Sequence, residues 1–184
     1  MSIFSPNSMR DDRVPSDWRC ATFLRAIRAC AVGSTHADVL EAAQTALRER
    51  VGSFVPAHPI TGREVSGVEH AEADLYSGRQ VILTPTERTY TAQLQRAQEV
   101  WTQLGSRVTR MSPESHDAAF AAVSHLPHLL AFTLINSIAG QENADTYLSL
   151  AGPGCRDFTR IAASHPKVWR DILLSHREEL LPQS

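Results

Sequence analysis

Arg107-Val108-Thr109-Arg110-Met111-Ser112-Pro113-Glu114 is the stretch on which the reading of the fold turns. Arg107 to Met111 reads as a short strand, and Ser112-Pro113 opens a helix. The serine hydroxyl can accept from a free backbone N–H of the first turn. Proline suits the first helical position, where its missing N–H costs nothing. Before this stretch strand and helix patterns alternate, and after it only helical spacing is found.

Working upstream, Val81 to Thr84 is a strand stopped by Pro85, and Tyr90, Leu94, Ala97, Trp101 and Leu104 recur at helical spacing before a turn at Gly105. Ser53 to Ala57 reads as a buried strand leading into a loop from His58 to Glu64, punctuated by Pro59 and Gly62. Gly33-Ser34-Thr35 forms a turn able to cap a helix whose apolar face is Leu40, Ala43 and Leu47, ended by Gly52. Residues 31–111 are thus the later part of an α/β unit. Such a unit, read as a parallel sheet without its first strands, exposes apolar edges and is expected to be less stable than the helical half.

Residues 112–184 are expected to be all helical. A mostly apolar helix runs from about Ser115 to Ile138, a short one from Ala144 to Leu150, and another begins with Arg156-Asp157-Phe158-Thr159-Arg160 after Gly152-Pro153-Gly154. A last helix, with Pro166 near its start, sets Trp169, Ile172, Leu173, His176 and Leu180 on one face. Leu126 to Ile138 is too short for a bilayer span, which takes ~20 residues, so it is read as a buried helix. A region so uniformly apolar needs cover on nearly all sides, and a partner subunit is its natural source.

Residues 1–30 stand apart as an atypical leader, expected to be poorly ordered. Pro6, Pro15 and a mixed run of charge leave only Trp18 to Ile27 as a short amphipathic helix. Its acidic residues and the lack of a cleavage pattern speak against a targeting peptide. Of the 184 residues 42% are hydrophobic, enough for a packed core, and a net charge of -2 gives no reason to expect nucleic acid or an anionic membrane as partner. Cys20, Cys30 and Cys155 form no CxxC pair and read as free thiols in a cytoplasmic protein.

Three groups of residues could carry chemistry. His58 stands six residues before Glu64, so an imidazole base and a carboxylate could share a pocket; the plainer reading is a solvated loop histidine. Ser124-His125-Leu126-Pro127-His128 places polar groups in the most apolar helix, where each needs a partner or costs roughly 1–3 kcal/mol. Four residues apart, Ser124 and His128 share a helical face that could line a cavity; the plainer reading is that His125 and His128 are a pair of satisfied core histidines. No HExxH and no acidic or cysteine ligand at a supporting spacing accompanies them, so no metal is expected. Asp157 and Arg160 can pair along a helix, or an inward Arg160 can grip a carboxylate with its planar fork, beside Trp169 as a core aromatic or a pocket wall.

Jointly these segments resemble the prephenate/arogenate dehydrogenases of tyrosine biosynthesis. Gly33-Ser34-Thr35, His58 to Glu64 with Ser66-Gly67, Asp74-Leu75-Tyr76, Ile82 to Pro85, Met111 to Glu114, Ser124 to His128, and Arg156 to Ser164 with Trp169 carry the resemblance, in order, over about residues 31–181. It implies an α/β remnant of a Rossmann-type NAD(P)-binding domain over residues 31–111. An incomplete helical substrate-binding and dimerisation domain follows over residues 112–184, making a homodimer. The implied activity is NAD- or NADP-dependent oxidative decarboxylation of prephenate to 4-hydroxyphenylpyruvate, or of arogenate to tyrosine. His58 matches the catalytic histidine and Ser34 its hydrogen-bonding neighbour. Ser124, His128, Arg160, Asp157, Trp169 and Glu64 match substrate-side positions.

Departures bear on the cofactor. The family's GxGxxG turn, where glycines and a helix N-terminus hold the pyrophosphate, is not found, and Gly33 is the only glycine before residue 52. No cofactor-binding residue is therefore assigned, and nicotinamide binding by this chain is expected to be poor. Ala31 and His36 stand where the family has Asp and Lys, and Pro153 and Cys155 replace Gly and Phe. The alternative to an enzyme is a non-catalytic dimeric module that binds prephenate, tyrosine or a related aromatic acid.

Overall fold

In the computed structural model residues 30–32, 35–61 and 72–183 are described. The leader helix expected over Trp18 to Ile27 lies outside them. Two compact units divide the chain, Met1–Pro113 and Glu114–Ser184.

The first unit is built on a four-stranded sheet ordered β1 (Cys30–Val32), β2 (Val55–Pro59), β3 (Gln80–Leu83) and β4 (Arg107–Arg110). The β1–β2 and β3–β4 pairs are parallel, but β2 and β3 run antiparallel, with Ala57 opposite Leu83 and His58 opposite Ile82. The parallel sheet expected from the sequence is therefore mixed. The chain enters β3 at the end where it left β2, so that connection has no crossover to make. β1 was not anticipated either, because its three residues straddle the boundary drawn after the leader.

Alternation explains which face is core. Val55 and Ala57 of β2 and Val81 and Leu83 of β3 point the same way and are fully buried. They are covered by α2 (Thr91–Gln103), whose Leu94, Ala97 and Trp101, followed by Leu104, form the predicted stripe. Tyr76 closes the cluster, its ring edge-on to Trp101 at 5.2 Å. The outer strand β4 exposes Arg107 and Arg110, charges that blunt an edge expected to be apolar.

α1 (Ala37–Leu47) buries Leu40 and Ala43 as expected, but its N-cap is His36, with no side-chain cap bond. It ends at Arg48, at a positive φ of 49°, rather than at Gly52, which falls inside a 3₁₀ turn over Arg48–Ser53. Gly52 is required by crowding: a Cβ there would lie 2.5 Å from the Tyr90 ring and 2.6 Å from the Arg88 carbonyl oxygen.

The second unit is entirely helical, so the expected class, α/β followed by all-α, is borne out. α3 (Pro113–Phe120) starts at the proline the sequence marks, passes through a π turn (Ala121–His125), and continues as α4 (Leu126–Ala139). α5 (Ala144–Ser149) and α6 (Pro153–Thr159) follow, the latter starting at Pro153 rather than Arg156. A 3₁₀ turn (Arg160–Ala163) then leads to α7 (Pro166–Ser175) and α8 (Arg177–Leu180), so the last predicted helix is interrupted at His176.

Within the single chain the apolar helix is only partly covered, as the expected need for a partner implies. Val123, Leu129, Leu130 and Leu134 are exposed, because the short helices α5 to α8 offer too little surface to cover it. Counted from Pro113 to Ala139 the helix has 27 residues and is long and apolar enough to cross a bilayer, unlike the shorter segment read from sequence. Its fully buried positions nevertheless include His116, Asp117 and His125, which face partners inside the unit.

Candidate functional site

In the first unit His58 lies within β2 rather than in the loop after it, on the sheet face opposite the core cluster. Pro56, Ile82 and Thr84 share that face by alternation and register. Thr84 leaves β3 with its N–H donated to the Pro56 carbonyl, and its hydroxyl shares a 2.7 Å hydrogen bond with His36 Nδ1. The His36 ring is fully buried and stands edge-on to the half-buried His58, with centroids 6.1 Å apart. Two imidazoles and a threonine thus converge where α1 begins and β3 ends. His36 had been read only as a substitution; a histidine at a helix start beside a strand was the available signal. Ser34 and Glu64 lie outside the described residues.

In the second unit Ser124 and His128 are joined as their spacing suggested, though by the Ser124 backbone. The carbonyl accepts at 2.8 Å from His128 Nδ1, so the imidazole holds its proton there and keeps an unprotonated Nε2. Burial lowers the His128 pKa, against the opposing pull of that carbonyl, and favours the neutral ring. The ring lies flat on Trp169, with centroids 3.4 Å apart and planes within 14°. A half-buried indole and a neutral imidazole make a flat surface with one acceptor nitrogen, suited to an aromatic or cyclic ligand bearing a hydroxyl.

Arg160 opens the 3₁₀ turn that packs against α4, the helix carrying His128. Asp157 lies one turn earlier, and both side chains are exposed. Ser124, His128, Trp169 and the turn bearing Arg160 therefore gather around α4.

Behind this surface is a polar cluster that the sequence only half revealed. His125 is fully buried; its ring meets Trp169 edge-on at 6.0 Å, and its Nδ1 is hydrogen-bonded to His176 Nδ1. His176 Nε2 lies 3.7 Å from Asp117 Oδ1, which accepts at 2.7 Å from His116 Nδ1. Burial, reinforced by the neighbouring His176, brings the His125 pKa down to about 4, with Asp117 pulling the other way. His176 had been assigned to an apolar face. Its contact with His125, 51 positions away, leaves no local mark in the sequence.

Comparison with known proteins completes the description. Residues 24–110 match the family model for the prephenate dehydrogenase nucleotide-binding domain, and residues 112–184 that for the prephenate dehydrogenase dimerization domain. Cyclohexadienyl dehydrogenase of Zymomonas mobilis is 36% identical over 155 residues, covering 83% of this chain and 52% of that protein. The crystal structure of prephenate dehydrogenase from A. aeolicus in complex with hydroxyphenyl propionate and NAD+ is 41% identical, with a TM-score of 0.75, over 83% of this chain and 53% of the other. Synechocystis arogenate dehydrogenase is 29% identical, with a TM-score of 0.70, over 83% and 55%. The chain thus spans about half the length of these relatives.

Proposed function

Because the chain belongs to the prephenate dehydrogenase family, we propose that it serves the oxidative decarboxylation of prephenate, or of arogenate, and contributes the substrate side of that reaction. The observation that carries this reading is the His128–Trp169 stack on α4, the helix against which the turn bearing Arg160 packs. It offers a flat floor, a polar ring nitrogen and a nearby arginine-bearing turn to a substrate that is a six-membered ring with carboxylates.

In this reading His58 accepts the proton of the ring hydroxyl, and Ser34 hydrogen-bonds the same region. Arg160 grips a substrate carboxylate through its planar fork. Ser124 and His128 make polar contacts, Asp157 and Glu64 support the site, and Trp169 walls it. The nicotinamide cofactor, NAD or NADP, supplies the hydride acceptor. Loss of the ring carboxylate as carbon dioxide leaves its electron pair in the ring and makes it aromatic.

The fit to that cofactor is incomplete in these residues. No GxGxxG occurs in the sequence, and the first described helix begins at a histidine N-cap without a side-chain bond. The match of residues 112–184 to a dimerization domain and the exposed leucines of α4 support a homodimer, the second copy covering the apolar helix.

Nicotinamide reduction followed spectrophotometrically, with prephenate and with arogenate, tests the enzyme reading. Turnover that falls at least a hundredfold in His58→Asn supports it. Ligand binding without any cofactor reduction would favour the alternative, a non-catalytic module for an aromatic acid.

A further inference from the structure

Four buried polar side chains of the second unit, His116, Asp117, His176 and His125, are left unused by the proposed reaction, yet they end against its floor. We propose that Asp117, His176 and His125 are positioning residues, a buried polar line from a carboxylate through two imidazoles that sets the Trp169 ring on which His128 stacks. This rests on reading His128 and Trp169 as substrate contacts.

Donors and acceptors can be placed along the line. Asp117 Oδ1 accepts from His116 Nδ1–H, so it faces His176 Nε2 as an anion. His176 Nε2 is buried without a hydrogen bond at ordinary length, 3.7 Å from that oxygen. Were Nε2 unprotonated, its lone pair would point into a carboxylate inside an apolar unit, which is unfavourable; carrying the proton, it is attracted. A single proton lies between the two facing Nδ1 atoms, and with either ring as its donor His176 turns an Nε2–H toward the carboxylate. Burial keeps His125 neutral.

A π turn in the backbone separates Asp117 from His125. In a regular α-helix Asp117 and His125, eight residues apart, would stand about 80° apart around the axis; one extra residue in the π turn brings them to about 20°. The π turn at Ala121–His125 ends at His125 itself. A π turn inside a helix forfeits regular hydrogen bonds, and here it aligns the two residues that the line requires.

Histidine ring tautomers of the full ¹⁵N-labelled chain, read at pH 7 by long-range proton–nitrogen correlation, test this without any activity. An Nε2–H at His176 is expected, and an unprotonated His176 Nε2 would overturn the proposal. Asp117→Asn should scramble the His125 and His176 tautomers and weaken the affinity for hydroxyphenyl propionate about tenfold, with helix content unchanged. Unaltered affinity and Trp169 fluorescence in a folded Asp117→Asn protein would overturn it. If that variant does not fold, His176→Gln and the native tautomers decide. Native tautomers as stated, in a protein that binds no hydroxyphenyl propionate, would contradict the substrate reading while leaving the line itself supported.

Discussion

His125 is where residue chemistry and stability meet. Its ordinary pKa of 6.5 falls to about 4 through burial and the adjacent His176. Between those two values the unfolded chain binds the proton more readily than the folded one, so stability falls as pH falls from about 6.5 to about 4, by roughly 3 kcal/mol. Urea midpoints at pH 7 and pH 4.5 should show this loss for the second unit, and it should shrink in His125→Phe if that variant folds. A midpoint that rises on acidification would contradict it. At this scale the sequence was informative where a polar residue broke an apolar pattern, as at His125 and His128. It was silent on His36 and His176, whose meaning comes from partners 48 and 51 positions away.

Among the elements, periodicity located α2, whose stripe from Leu94 to Leu104 packs on the sheet, because one face of that helix is covered by one element. It could not reveal the antiparallel β2–β3 pair, since the alternation of Val55 and Ala57 is the same in either direction. Nor could it reveal the π turn, because one added residue leaves an apolar run looking apolar. Gly52 had been read as a helix stop, and the space around it explains its identity better. Gly52→Ala would drive a Cβ against Tyr90 and the Arg88 carbonyl, and is expected to cost about 1–3 kcal/mol, read as a lower urea midpoint of the first unit. An unchanged midpoint would mean that the Tyr90 side of the turn gives way freely.

For the whole molecule, the exposed apolar helix carries the most weight. Leu130 is 50% exposed and Val123 71%, more apolar surface than a lone helical unit ordinarily presents to water. With a second copy as cover, Leu130→Glu would bury a carboxylate at the contact and should shift sedimentation from dimer to monomer. A dimer unchanged in mass would place the interface elsewhere. The sequence foresaw both the need for cover and the two-part class, because composition and helical spacing are summed over many residues. The exposure left on α4 agrees with the expectation that the chain's own helices cannot cover it alone.

The central claim is that this chain carries the substrate side of a prephenate dehydrogenase, gathered around α4 with Arg160 as the carboxylate grip. Calorimetric titration of the full chain with prephenate, set beside Arg160→Ala, tests it most directly. Saturable binding to the native protein that weakens at least tenfold in the variant is the predicted result; no binding to the native protein, or equal binding to both, would contradict the account.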